Sequence, residues 1–177
     1  SCNTQSGTGV SCSEKFEMAR KLANENNGRN TAIDSALVLA DESLNCDSIR
    51  KAVVDFKIRI LVNQDKIKEC ITFIDSLQEG DFTFSYKKNY LAKSLLALSF
   101  ENMGDTVNRS LYYGEAALDL QKHINNNVLS DAEFKEAFTD LFLIKEKYQS
   151  QSEIDKDIDY FQQKYPDKVS FFELFRN

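Results

Sequence analysis

The sequence predicts an all-α fold, and three observations carry that prediction. Proline occurs once and glycine six times in 177 residues, so little interrupts a long helix. Ala, Leu, Glu, Lys and Gln are frequent, and these residues favour helix most strongly. Apolar residues also recur at i, i+3 and i+4 along most of the chain, which is the spacing of one helix face. The length suits one domain, and 42% apolar residues can supply a buried core.

Residues 1–12 lack this periodicity and are rich in Ser, Thr, Gly and Asn, as a flexible tether is. The first helix is expected over 13–26, with Phe16, Ala19, Leu22 and Ala23 on one stripe. Asn26-Asn27-Gly28-Arg29-Asn30 is a turn signal. A second helix follows over 31–45, carrying Ala32, Ile33, Ala36, Leu37, Leu39 and Ala40, with Thr31 and Asp34 spaced as a capping box. The second pair is expected over 48–62 and 65–78, with Val53, Phe56 and Ile60 on its first helix and Asn63-Gln64-Asp65 as its turn.

Gln78-Glu79-Gly80-Asp81 stops that pair. The third pair is expected over 85–103 and 106–122, after which Asn125-Asn126-Asn127 breaks the pattern. Ser130 and Glu133 are spaced to cap a fourth pair over 131–148 and 153–165, with Leu141, Ile144 and Tyr148 on one helix and Ile158, Phe161 and Tyr165 on the other. Pro166 ends the series. A short helix over 168–176 brings Phe171, Phe172, Leu174 and Phe175 as a cover for the last apolar face. The alternative for these rings is an aromatic contact site.

The stretch from Gly104-Asp105 through Leu111-Tyr112-Tyr113-Gly114 to Ala116-Ala117-Leu118, with Leu96, Ala97 and Phe100 before it, resembles the turn and helices of a tetratricopeptide repeat. The interval from Gly104 to Ala117-Leu118 is one residue longer than that family's pattern. Ala32, Cys70 and Ser110 recur at intervals of 38 and 40 residues, longer than the family's period of about 34. The resemblance implies a right-handed superhelix of about four antiparallel helix pairs with a short C-terminal capping helix, one domain over 13–177. Leu111, Tyr112 and Ala117 are then packing residues between repeats. It also implies a partner-binding groove on the first helix of each pair. The family's groove positions fall on Lys51, Val54 and Ile58, on Leu91, Ser94, Leu98, Glu101 and Asn102, and on Thr139, Phe142, Glu146 and Gln149. Several are apolar and equally suit a core. The set is not basic, so it does not suit the family's carboxylate-clamp mode.

Cys12 and Cys46 are equidistant from residue 29, so folding the chain at 26–30 lays them side by side. A disulfide there would add about 3–4 kcal/mol by loop closure and would indicate an oxidising compartment. The alternative is two buried thiols, as Cys70 on its apolar face is expected to be. The chain does not begin with Met, and Ser1-Cys2 resembles the end of a bacterial lipobox. That implies a lipidated Cys2 and an exported lipoprotein of the periplasm or outer membrane; otherwise Cys2 is an ordinary residue of a frayed end. A cytoplasmic location is the second choice.

Chemistry is sparse. His123, the single histidine, stands near a helix end with no metal-ligand pattern around it. Asp155, Asp157 and Asp159 alternate as in a calcium loop, but Tyr160 and Pro166 occupy its glycine and glutamate positions. With Glu153 they suit a helix N-terminus instead. Neither a nucleophile elbow nor a phosphate loop occurs, so no cofactor, metal or catalytic residue is expected. A net charge of −6 opposes nucleic-acid binding and favours a protein partner with a basic or neutral surface. The membrane would be reached only through the lipid anchor. The leading expectation is a non-catalytic protein-binding module; a specific form of it is an immunity protein that masks a secreted toxin. The rival is an enzyme or small-ligand receptor with an inter-helix pocket built on Tyr86, Tyr90, Tyr112 and Tyr113.

Overall fold

The computed structural model describes residues 10–25 and 30–176. Cys2 and the turn signal at 26–29 lie outside them. Among the described residues the chain is helical and contains no strand: α1 Cys12–Glu25, α2 Asn30–Ser43, α3 Arg50–Asn63, α4 Ile67–Ser76, α5 Lys87–Asn102, α6 Thr106–Asn126, α7 Asp131–Lys145, α8 Gln151–Lys164 and α9 Val169–Phe172. The chain divides into two compact units, 1–73 with 80–83, and 74–79 with 84–177.

In the first unit α1 packs on α2, and α2 on α3. Phe16, Ala19, Ile33, Ala36, Ala40, Val53, Phe56 and Ile60 form its core, with the Phe16 and Phe56 rings edge to face at 5.5 Å. Alanines on α2 let its neighbours approach closely. Cys12 and Cys46 are joined by a disulfide with Cα atoms 6.3 Å apart. It ties the start of α1 to the residues after α2, where the buried Ser43 hydroxyl donates to the carbonyls of Leu39 and Cys12. Thr31 lies inside α2 and not before it, so it cannot be the N-cap. The Ser that does cap lies in the expected tether: Ser11 and Glu14 form a reciprocal capping box on α1.

Two turns share one backbone solution. Gly104 has φ 74° and Asp65 φ 56°. In each, the next residue's N–H reaches back to close the helix: Asp105 to the Phe100 carbonyl at 2.9 Å and Lys66 to that of Leu61 at 2.9 Å. Asp105 then caps α6, its carboxylate accepting from the Asn108 N–H at 3.0 Å. Cys70 is a free, fully buried thiol, and burial pushes its pKa up to about 11 against the opposing pull of Lys57.

The second unit is built on α6, which packs against α5 and α7. Ala116 and Ala117 are its buried small residues; Leu111, expected to pack, is 53% exposed, whereas Tyr112 stacks on Phe100 at 5.4 Å. Ser130 caps α7 by accepting from the Glu133 N–H, and Ser150 with Glu153 caps α8. The C-terminal segment covers the aromatic end of α7 and α8. Phe172 is fully buried and lies 5.0 Å from Phe138 and 5.8 Å from Phe161, while Phe175 stacks on Phe142 at 4.5 Å. Leu174 stays outside, 76% exposed.

Candidate functional site

A groove of about 240 Å³ lies between α5 and α7 in the second unit. Leu91, Ser94, Leu95 and Leu98 line it from α5, Leu143 and Ile144 from α7 and Lys147 from the turn after it, with Tyr90 and Tyr113 beneath. The α5 leucines stand at i, i+4 and i+7, so they share one helix face. Leu143 is 52% exposed at the opposite wall. The Ser94 hydroxyl is spent on the Tyr90 carbonyl at 2.6 Å, which leaves the wall apolar.

Polar ties hold both ends of this groove. At one end the Tyr86 hydroxyl and the Lys87 ammonium both donate to Asp140 on α7, at 2.8 and 2.7 Å, and the Tyr90 hydroxyl donates to the Asp140 carbonyl at 3.3 Å. Glu136 adds a second carboxylate to Lys87 at 2.6 Å. Burial, with the Asp140 charge next, pushes the Tyr86 and Tyr90 hydroxyls far up, so they remain proton donors. Burial opposes the charge on Lys87, but Asp140 and Glu136 outweigh it and hold its pKa up. At the other end Arg109 donates to the Lys147 carbonyl at 3.1 Å, and the Tyr113 hydroxyl donates to Glu101 at 2.7 Å.

The positions expected from the sequence fall unevenly. Leu91, Ser94 and Leu98 line the groove; Glu101 is committed to Tyr113 at its end, and Asn102 is exposed at the end of α5. On α7, Phe142 is fully buried in the core and Thr139 donates to the Lys135 carbonyl; past its end, Glu146 is exposed and the side-chain oxygen of Gln149 is buried without a hydrogen bond. The residues that face the groove here, Leu143 on α7 and Lys147 in the turn after it, are one position further along than Phe142 and Glu146. The same offset occurs on α3. Val54 and Ile58 are buried and Lys51 is exposed, while Ala52, Asp55, Phe56 and Arg59 line a groove of about 420 Å³ with Phe16 and Arg20 of α1. The polar stripe Lys51, Asp55, Arg59 at i, i+4, i+8 is the signal that marks the open side of α3.

No protein-family model, curated protein or solved structure matches the chain.

A smaller polar cavity of about 150 Å³ is lined by Tyr86, Tyr90, Asn89, Glu79, Asp119 and His123, among others. Four of its titratable groups, Tyr86, Tyr90, Asp119 and His123, have partners. His123 Nε2 is 2.9 Å from Glu133 and Nδ1 is 3.3 Å from the Asn127 amide. Asp119 pairs with Lys93 at 2.6 Å. Tyr112 and Tyr113 do not reach this cavity; the former stacks on Phe100 and the latter lies under the groove. Among the described residues no group of three or more His, Cys, Asp or Glu could hold a metal ion, and no helix is long and apolar enough to cross a membrane.

Proposed function

We propose that the chain is a non-catalytic protein-binding module that takes up an apolar segment of a partner protein in the α5/α7 groove. One observation carries this: Leu91, Leu98 and the half-exposed Leu143 form an apolar trough whose two ends are fixed by hydrogen bonds. A trough held open in this way is pre-organised, so little ordering cost falls on binding. The resemblance supports the same reading, because α5 and α7 are the first helices of their pairs; the pairs are proposed to stack as a right-handed superhelix of tetratricopeptide type.

The Cys12–Cys46 disulfide supports export to an oxidising compartment, and a lipid on Cys2 would hold the exported protein at the membrane surface. Fatty-acid labelling that is lost in Cys2→Ala checks the anchor. The groove is tested by affinity capture from envelope extracts with Leu98→Asp and Leu143→Asp, each confirmed folded by circular dichroism. A partner held by the parent chain and released by both variants is expected; a partner retained by both would place binding elsewhere.

A further inference from the structure

We propose that the α1/α3 groove of the first unit is a second binding site, and that its ligand is a peptide segment carrying carboxylates beside apolar side chains. This site does not depend on the α5/α7 groove. Its floor is aromatic: Phe16 and Phe56 meet edge to face at 5.5 Å and are only 7% and 4% exposed. Each ring carries a guanidinium. Arg20 lies 6.0 Å from the Phe16 centroid and Arg59 lies 5.8 Å from that of Phe56, so two cations from two helices flank one apolar floor.

Both guanidiniums are available. Arg59 has no ion pair among the described residues. Arg20 is bonded to Glu17 at 2.9 Å, but the two side chains are 52% and 67% exposed, and such a surface pair is held weakly and exchanged readily. A guanidinium resting on a ring keeps its N–H groups in its own plane, free to grip a carboxylate at two points. Asp55, which accepts from the Thr83 hydroxyl at 3.3 Å, lies in the same groove.

The charges decide the ligand class. Arg20, Arg59 and Asp55 leave the groove at +1 within a chain of −6. The field of the whole molecule repels a polyanion, and Asp55 opposes a densely charged phosphate. A segment with one or two carboxylates beside a Phe or Leu side chain carries less charge and meets less of that opposition: each carboxylate finds a guanidinium and its apolar neighbour finds the ring floor. The groove volume of about 420 Å³ admits more than one such side chain.

The test is fluorescence anisotropy of the whole chain with fluorescein-labelled, C-terminally amidated Glu-Phe-Leu-Glu, against Gln-Phe-Leu-Gln in the same form. Saturable binding is expected, weaker by about tenfold for the glutamine peptide and in Arg59→Gln or Arg20→Gln, a loss of about 1.4 kcal/mol. Leu98→Asp in the other groove should leave it unchanged. Equal binding of both peptides, indifference to Arg59→Gln, or equal competition by inorganic phosphate or by anionic phospholipid vesicles would overturn the proposal. If Leu98→Asp alone abolishes the signal, the peptide occupies the α5/α7 groove and the second site falls while the proposed function stands.

Discussion

Asp140 does more for the second unit than any other single polar residue on α7. Its carboxylate receives a buried phenol and a largely buried ammonium, and its backbone receives a second phenol. Removing it leaves the buried Tyr86 hydroxyl without its acceptor and Lys87 with Glu136 alone, so Asp140→Ala should cost about 2–3 kcal/mol, read as a lower urea midpoint. Asp140→Asn, which still accepts, should cost less. Gly104 is a second residue with a defined price: nothing lies within 4 Å of a Cβ built there, but φ is +74°. Gly104→Ala should therefore cost about 1 kcal/mol from backbone conformation alone. The cap residues show where residue-scale reading works. Ser130 was legible because polar residues and an apolar run surround it. Ser150-x-x-Glu153 and Ser11-x-x-Glu14 carry the same spacing, yet the first was hidden by the neighbouring aspartates and the second by the polar composition of the tail.

The elements themselves were legible because helix period survives even where repeat identity does not. The limits of α1 to α8 lie within a few residues of those expected, since Gly104, Ser130 and Pro166 act locally and need no tertiary information. Register around each helix axis was harder. On α5 the strong motif at Gly104 anchored it, and Leu91, Ser94 and Leu98 fell on the groove. On α3 and α7 no such anchor exists, and apolar residues occupy several faces: Val53, Val54, Phe56 and Ile58 on α3, and Phe138, Leu141, Phe142 and Ile144 on α7, are all buried. When a helix is buried on most sides its apolar pattern no longer says which side is open, and the expected positions slipped by one residue. The hairpin of α1 and α2 depends on its disulfide, which closes 34 residues; reduction, or Cys46→Ser, should lower stability by about 3–4 kcal/mol, measured by thermal unfolding with and without dithiothreitol. The C-terminal segment depends on one ring. Phe172→Ala should cost about 3–5 kcal/mol, whereas Leu174→Ala, at an exposed site, should be nearly neutral.

At the scale of the whole molecule, net charge and the charge of the grooves differ in sign. A total of −6 favours a basic or neutral surface, but neither groove has a negative lining: Lys147 is the charged residue lining one, and Arg20 and Arg59 outnumber Asp55 in the other. Charge does govern stability against acid. Lys168 and Lys135 hold the exposed Asp131 down to about 2, and hydrogen bonds from Ser11, Asn108 and Ser150 lower Glu14, Asp105 and Glu153. Each is lower in the folded than in the unfolded chain. Their contribution is therefore complete above the unfolded carboxylate values, about 4, and is lost as pH falls through the folded ones. Thermal midpoints should hold from pH 7 to 5 and fall between pH 4 and 2; a midpoint that rises on acidification would contradict the assignment.

Whether a partner protein is held between α5 and α7 is read from site-specific photo-crosslinking. A benzophenone side chain placed at Leu143 in the groove, or at the equally exposed Leu118 outside it, is irradiated in the cells that make the protein. A discrete protein adduct from position 143 and none from position 118 is the expected result. Adducts from position 118 alone would contradict it.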